Sequence, residues 1–205
     1  EARRTWAATA PTRHDVVLDI GAHVGGYATW AARECGARVV AVEPATSSFA
    51  LLEANLAVLP RARAIHAAVL ANPTAPTTTL WLDAQHPLRS CSASTATKAR
   101  RNRPSEQVPV WGWGELLVCD PTIVKIDAEG AEYELLGSGP LPLTVRCLAV
   151  EWHFTGHPDW RDTAKAIIAR IEGEEGFRLV AGTNVLFRRP LDWEKRWHVL
   201  GVWRR

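Results

Sequence analysis

The chain has 205 residues, 47% of them apolar and 22% charged, with a formal net charge of +2. This length suits a single domain spanning 1–205 with a proper core, and the charge excludes net electrostatics as an argument for nucleic acid or a membrane surface. No apolar stretch reaches membrane-span length and the N-terminal EARRTWAATAPTRHD has no signal-peptide core, so a cytoplasmic protein is expected. Since the chain starts at Glu1 rather than Met, residues are expected to precede it. Cys35, Cys91, Cys119 and Cys147 show no CxxC pairing and read as reduced, mostly buried thiols. The ten tryptophans read mainly as core or interface.

Short apolar runs alternate with helical segments along the chain. Val16–Ile20 (VVLDI) predicts strand one, Gly26–Arg33 a helix, and 39–42 strand two, which stops at Glu43-Pro44. In 47–59, Phe49, Leu52, Leu56 and Leu59 share one helical face, with Ser47 or Ser48 near its N-terminus. Strand three is expected at 64–70 and an extra strand at Thr77–Leu82. Residues 84–107 are polar and aperiodic. Order resumes with strand four at 122–126 (TIVKI), a short helix at 131–136, and strand five at 147–150 running into Glu151-Trp152-His153. A helix over 160–172 with Asp159 as cap follows, and 177–181 and 185–188 read as a closing hairpin.

The turn after strand one carries the ligand signal. Gly21, Gly25 and Gly26 at a strand-to-helix junction let backbone approach a ligand, and the helix start offers free amide donors. Glu43, twenty-two positions after Gly21, can accept both hydroxyl protons of a ribose. The pattern Gly21-x-x-x-Gly25-Gly26 does not meet the dinucleotide spacing G-x-G-x-x-G. Asp19 would repel a phosphate, whereas it would favour an aminoacyl ammonium or a sulfonium. The plain alternative is a capped strand end with no ligand.

DIGAHVGGY, VVAVEP and above all IVKIDAEGAEYELL at 123–136 resemble the FkbM-type S-adenosylmethionine-dependent methyltransferases, over about two thirds of the chain. The resemblance implies an α/β Rossmann-like class I fold: a mostly parallel seven-stranded sheet with a C-terminal antiparallel hairpin and helices on both faces. It also implies O-methylation of a sugar or natural product. Matched residue by residue, Asp19, Gly21, Ala22, His23 and Gly25 would line the cofactor's aminoacyl end, Glu43 would hold the ribose, and Ala68 would pack beside adenine. His23 departs from the family's usual Asn but can still hydrogen-bond.

Methyl transfer to a hydroxyl needs an acceptor in line with the sulfonium methyl and a group to take its proton. Asp127 and Glu129 end strand four, and His153 beyond strand five has a near-neutral intrinsic pKa. These three are the catalytic candidates, and Asp127 also serves as a candidate partner for the cofactor ammonium. Asp127 and Glu151 could instead hold Mg2+, which would lower the acceptor's pKa. Capping by Glu129 and Glu132, and an interior role for His153, are the structural alternatives. Residues 84–107, with Lys98, Arg100, Arg101 and Arg103, read either as a solvated loop or as a lid gripping an anionic part of the acceptor, such as a nucleotide-linked sugar. The expectation is a monomeric or homodimeric enzyme with a small hydroxylated acceptor and no membrane. A nucleic-acid methyltransferase or a non-catalytic cofactor-binding module are the alternatives, although no Lys-Asp-Lys-Glu tetrad or basic stripe can be assembled.

Overall fold

The computed structural model describes residues 6–82, 90–91, 104–153, 159–182 and 198–205. In chain order its elements begin β1 (Val16–Ile20), α1 (Gly26–Arg33), β2 (Arg38–Glu43), α2 (Thr46–Leu56), β3 (Ala62–His66), β4 (Ala68–Leu70), β5 (Thr77–Leu82) and β6 (Ser90–Cys91). They continue with β7 (Ser105–Gly112), α3 (Trp113–Leu117), β8 (Ile123–Ile126), α4 (Glu132–Gly137), β9 (Cys147–His153), α5 (Trp160–Gly173), β10 (Arg178–Gly182) and β11 (His198–Arg204).

Seven strands form one sheet in the order β10-β11-β9-β8-β1-β2-β3. Only β11 runs against its neighbours, pairing antiparallel with both β9 and β10. The expected mostly parallel sheet with an antiparallel C-terminal pair is therefore present. The segment that pairs with β10, however, is 198–204, while the expected partner at 185–188 lies outside the described residues. The central strands VVLDI and IVKI are almost wholly buried, as parallel strands covered on both faces must be.

Alternation along these strands divides the core into two layers. Val17, Val39 and Ile123 pack with Ala28, Ala31, Leu52 and Leu56 of α1 and α2. Leu18, Val42, Val124 and Ile126 pack on the other face with Leu135, Leu136, Ile167 and Ile171 of α4 and α5. None of these helices is long and apolar enough to cross a membrane.

Two local expectations are corrected. The predicted strand at 64–70 breaks at Ala67, so β3 stays in the main sheet while β4 joins a second sheet of order β4-β7-β5-β6. The sequence signals that second sheet only through β5. Strand β7 includes the end of the stretch read as loop or lid, and its remaining residues through 103 are outside the described residues except β6. Pro109 and sparse apolar residues hide β7 in the sequence, yet its Val108 closes a small core with Leu80 and Ala45. Ser47 and Ser48 lie in the first turn of α2 as expected, the cap residue being Ala45 without a side-chain bond, and the Thr46 N–H donates to Glu106 Oε1 of β7 at 2.9 Å. A side chain brought in by tertiary structure supplies the acceptor that a local Ser would have provided. Asp159 sits at the cap position of α5 but makes no side-chain cap bond.

Candidate active site

The turn between β1 and α1 is held across two strand ends. The N–H groups of Gly21 and Ala22 both donate to the Val42 carbonyl at 3.0 Å, and the Asp127 N–H donates to the Ile20 carbonyl at 2.9 Å. Gly21 has φ +72°, and a Cβ there would lie 1.8 Å from the Asp127 carbonyl oxygen. Only glycine fits so close an approach between the chain leaving β1 and the chain leaving β8, its parallel neighbour. Gly25, with φ +86°, begins α1, and His23 between them is exposed with φ +54°.

Glu43 is buried at the end of β2, where Oε2 accepts the His23 N–H at 2.8 Å and Oε1 the Ala45 N–H at 3.0 Å. Each oxygen keeps further acceptor capacity. Burial raises its carboxyl above the ordinary range, against the lowering effect of those two donors. Beside it the His66 ring stacks on Phe49 at 4.6 Å and its Nε2 lies 2.9 Å from the Pro44 carbonyl. The Ala67 N–H donates to the Glu43 carbonyl, and Ala68 is half-buried at the start of β4.

Asp19, which the resemblance places at the cofactor's aminoacyl end, is 0% exposed. It stands level with Lys125 in the β1–β8 register, and the Lys125 ammonium lies 2.9 Å from its Oδ1. The physical reason is that β1 is a central strand covered on both faces, so a carboxylate at either parity is buried and takes a buried counter-charge.

The candidates at the ends of β8 and β9 do converge. His153 Nε2 lies 3.8 Å from Asp127 Oδ1 and 3.7 Å from Glu129 Oε2. Ligand atoms of Asp127, Glu151 and His153 all lie within 4.8 Å of one another. Behind them Glu132, fully buried, accepts the His153 backbone N–H at 2.6 Å and the Gly130 N–H at 2.8 Å, and its Oε1 is 3.3 Å from His153 Nδ1. The Tyr133 hydroxyl donates to the His153 carbonyl at 3.0 Å. Burial alone would lower the His153 imidazolium, but Glu132, then Glu129 and Asp127, push it up to about 9. Burial, reinforced by Asp127, pushes the Glu151 carboxyl up to about 7. At neutral pH the cluster thus holds a charged imidazolium beside a carboxyl poised to titrate.

A family profile described as "Methyltransferase FkbM domain" matches residues 19–179. The chain belongs to the FkbM methyltransferase family. An FkbM methyltransferase from Methylobacillus flagellatus KT has the same fold, with TM-score 0.55 and 13% identity over 95% of this chain and 44% of that one. So does the precorrin-6y C5,15-methyltransferase of Geobacter metallireducens GS-15, with TM-score 0.53 and 13% identity over 99% of this chain and 86% of that one. TYW2 of P. horikoshii, in complex with MeSAdo, is similar at TM-score 0.51 and 14% identity over 98% of this chain and 61% of that one. This FkbM chain accordingly spans less than two thirds of two of these three structures. Comparison with curated protein sequences finds no match.

Lys125 lies two residues before Asp127 on a buried strand, a spacing that puts it on the face of that carboxylate but deeper, and the structure brings the two to 3.7 Å. A charge inside the apolar run IVKI is itself a signal, since a buried ammonium demands a buried partner. The pairing of Glu132 with His153 is what local pattern does not reveal, since Glu132 reads from its helix position as a cap.

Proposed function

We propose that this FkbM domain is a cytoplasmic enzyme that methylates a hydroxyl of a sugar or small natural product, using S-adenosylmethionine. The observation that supports it best is the close approach of Gly21 to Asp127, which sets the cofactor-type turn directly against the acid–imidazole cluster. Bound S-adenosylmethionine would supply an electrophilic methyl group on a sulfonium. The turn from Gly21 to Gly25 and the start of α1 would take its aminoacyl end, Glu43 its ribose hydroxyls, and Ala68 would pack beside adenine. The carboxylates of Asp127, Glu129 and Glu151 make surroundings that favour a cation. The MeSAdo held by the P. horikoshii neighbour is consistent with an adenosine-bearing ligand in this fold.

We assign the acceptor's proton to Glu151. A carboxyl titrating near 7 matches what a general base needs at neutral pH. His153 suits a different task, because an imidazolium has no lone pair to receive a proton; it orients Asp127 and Glu129 and offsets their charge. Asp127, Glu151 and His153 are also a donor set for a divalent cation such as Mg2+, whose chemistry would be to acidify the acceptor hydroxyl. With the imidazolium in place the cluster already has a cation, so turnover is expected to survive EDTA. Activity lost to EDTA and restored by Mg2+ would give the cluster to a metal.

Calorimetric titration of the protein with S-adenosylmethionine and with NAD is the direct test, and preference for NAD would overturn the proposal. Substituting Glu43→Ala removes charged hydrogen bonds to ribose, each contributing about 1.5–3 kcal/mol, so affinity is expected to fall by at least tenfold. An unchanged affinity would refute the ribose assignment. Steeply salt-dependent RNA binding would redirect the reading to a nucleic-acid acceptor, and cofactor binding without turnover of any hydroxylated compound to a non-catalytic module.

A further inference from the structure

We infer that Lys125 is a positioning residue that ties the cofactor-binding turn to the acceptor-side carboxylate through one buried ammonium. The inference deepens the methyl-transfer reading and rests on it.

The geometry is convergent. Lys125 is 3% exposed on the central strand β8, and its Nζ lies 2.9 Å from Asp19 Oδ1, 3.3 Å from the Gly21 carbonyl oxygen and 3.7 Å from Asp127 Oδ2. The Trp6 ring covers the same ammonium, with its centroid 5.0 Å away. An ammonium has three donors, and here three oxygens from three functions surround it. Asp19 is wholly buried, and among the described residues no hydrogen bond to its oxygens adds to that ion pair. Asp19 is therefore the fixed counter-charge, and Lys125 carries that anchoring outward to a turn carbonyl and a partly exposed carboxylate.

A lysine used only for stability would be an expensive choice in this strand. An apolar residue of similar length would continue the IVKI run without desolvating a charge. The ammonium instead holds two groups that have to stay in register for methyl transfer. Gly21 presents the cofactor-side backbone, and Asp127 begins the acceptor-side loop. Asp127 is also flanked on its other oxygen by His153 Nε2 at 3.8 Å, so its two oxygens face nitrogens from β8 and β9. A displacement of that carboxylate by even an ångström would be felt at the transferring methyl.

The test compares the wild-type chain with the double variant Lys125→Met/Asp19→Asn, which removes both buried charges together and leaves neither unpaired. Lys125→Met alone is made alongside it, because it strands the Asp19 carboxylate and reports folding. The readouts are thermal unfolding and the affinity for S-adenosylhomocysteine by calorimetry, neither of which requires a known acceptor. The double variant is expected to unfold within a few degrees of wild type yet to bind S-adenosylhomocysteine at least tenfold more weakly. Equal binding by the folded double variant would overturn the positioning role and leave Lys125 as a structural pair. Failure of the wild-type chain to bind S-adenosylhomocysteine would instead overturn the methyltransferase reading, so the two failures are distinct. Should the double variant not fold, Lys125→Arg supplies the second measurement. It keeps a buried positive charge for Asp19 but replaces the compact ammonium by a planar guanidinium that cannot reproduce its three contacts, so weaker binding of S-adenosylhomocysteine is expected, while unchanged affinity would overturn the inference.

Discussion

Gly21→Ala is expected to destabilise the chain by about 4 kcal/mol or more and to abolish binding of S-adenosylmethionine. Two costs combine at this position. An L-residue held at φ +72° loses roughly 1–2 kcal/mol from the left-handed backbone alone. The larger cost is contact, because the new Cβ would sit 1.8 Å from the Asp127 carbonyl oxygen and 2.7 Å from its carbon. Both are backbone atoms at the end of β8 and cannot swing aside like a side chain. Relief requires the turn to lift away from β8, which breaks the bonds from Gly21 and Ala22 to the Val42 carbonyl and disperses the Lys125 contacts. Gly26→Ala is the matched control: a Cβ there meets nothing within 4 Å, and the residue lies in the first turn of α1. That control is expected to change stability by less than about 1 kcal/mol. Urea unfolding together with calorimetric titration separates the two, and a Gly21→Ala protein with wild-type stability would show that the turn is looser than this geometry requires.

The second large effect belongs to Glu132→Gln. The buried Glu132 carboxylate is the principal partner of the His153 imidazolium and also accepts two backbone N–H groups. Glutamine retains an acceptor oxygen but not the charge that keeps His153 protonated. Removing one partner of a buried ion pair usually costs about 3–5 kcal/mol. Here the imidazolium can shed its proton, which limits the loss at neutral pH to about 3 kcal/mol, the free energy of raising an imidazolium from 6.5 to about 9. The sign follows from linkage. His153 is raised in the folded chain, so its stabilisation is complete below about 6.5 and disappears as pH rises through 9. Glu151 is likewise raised, from 4.5 to about 7, so its contribution is complete below 4.5 and is lost as pH rises through about 7. The thiols of Cys35, Cys119 and Cys147 are raised by burial and titrate on unfolding over the same alkaline range. His153 is therefore isolated by the difference between the wild-type and Glu132→Gln profiles from about pH 7 to about pH 10. The wild-type chain is expected to lose up to about 3 kcal/mol more than Glu132→Gln over that window, the part of the shift owed to Glu129 and Asp127 remaining in the variant. An unaltered slope in the variant would mean that His153 is not held charged by Glu132.

Much of this site is legible in the amino-acid sequence, for identifiable reasons. The glycines at 21 and 25 and the acid at 43 occupy positions whose backbone demands are local: positive φ and a strand end. The carboxylates at 127, 129 and 151 and the imidazole at 153 follow directly after strong apolar strands, so their common placement at the carboxyl end of a parallel sheet follows from topology. The burial of Asp19 is not legible in the same way, because a strand's alternating faces depend on which neighbours cover them, and that requires the β1–β8 register. The charge state of His153 is equally hidden. Its intrinsic titration suggests a base, while Glu132, twenty-one positions earlier, lies against it only after α4 folds back on β9.

The amino-acid sequence by itself determined the methyltransferase family, the parallel strands at the centre of the sheet and the glycine turn after β1, since each is encoded in contiguous segments such as DIGAHVGGY and KIDAEGAE. Only the tertiary structure decided the second sheet, the split of the predicted third strand at Ala67, and the burial of Asp19 against Lys125. It also decided the pairing of Glu132 with His153. These depend on contacts between residues tens of positions apart, where burial and the sum of neighbouring charges set the outcome, and local pattern carries no record of either.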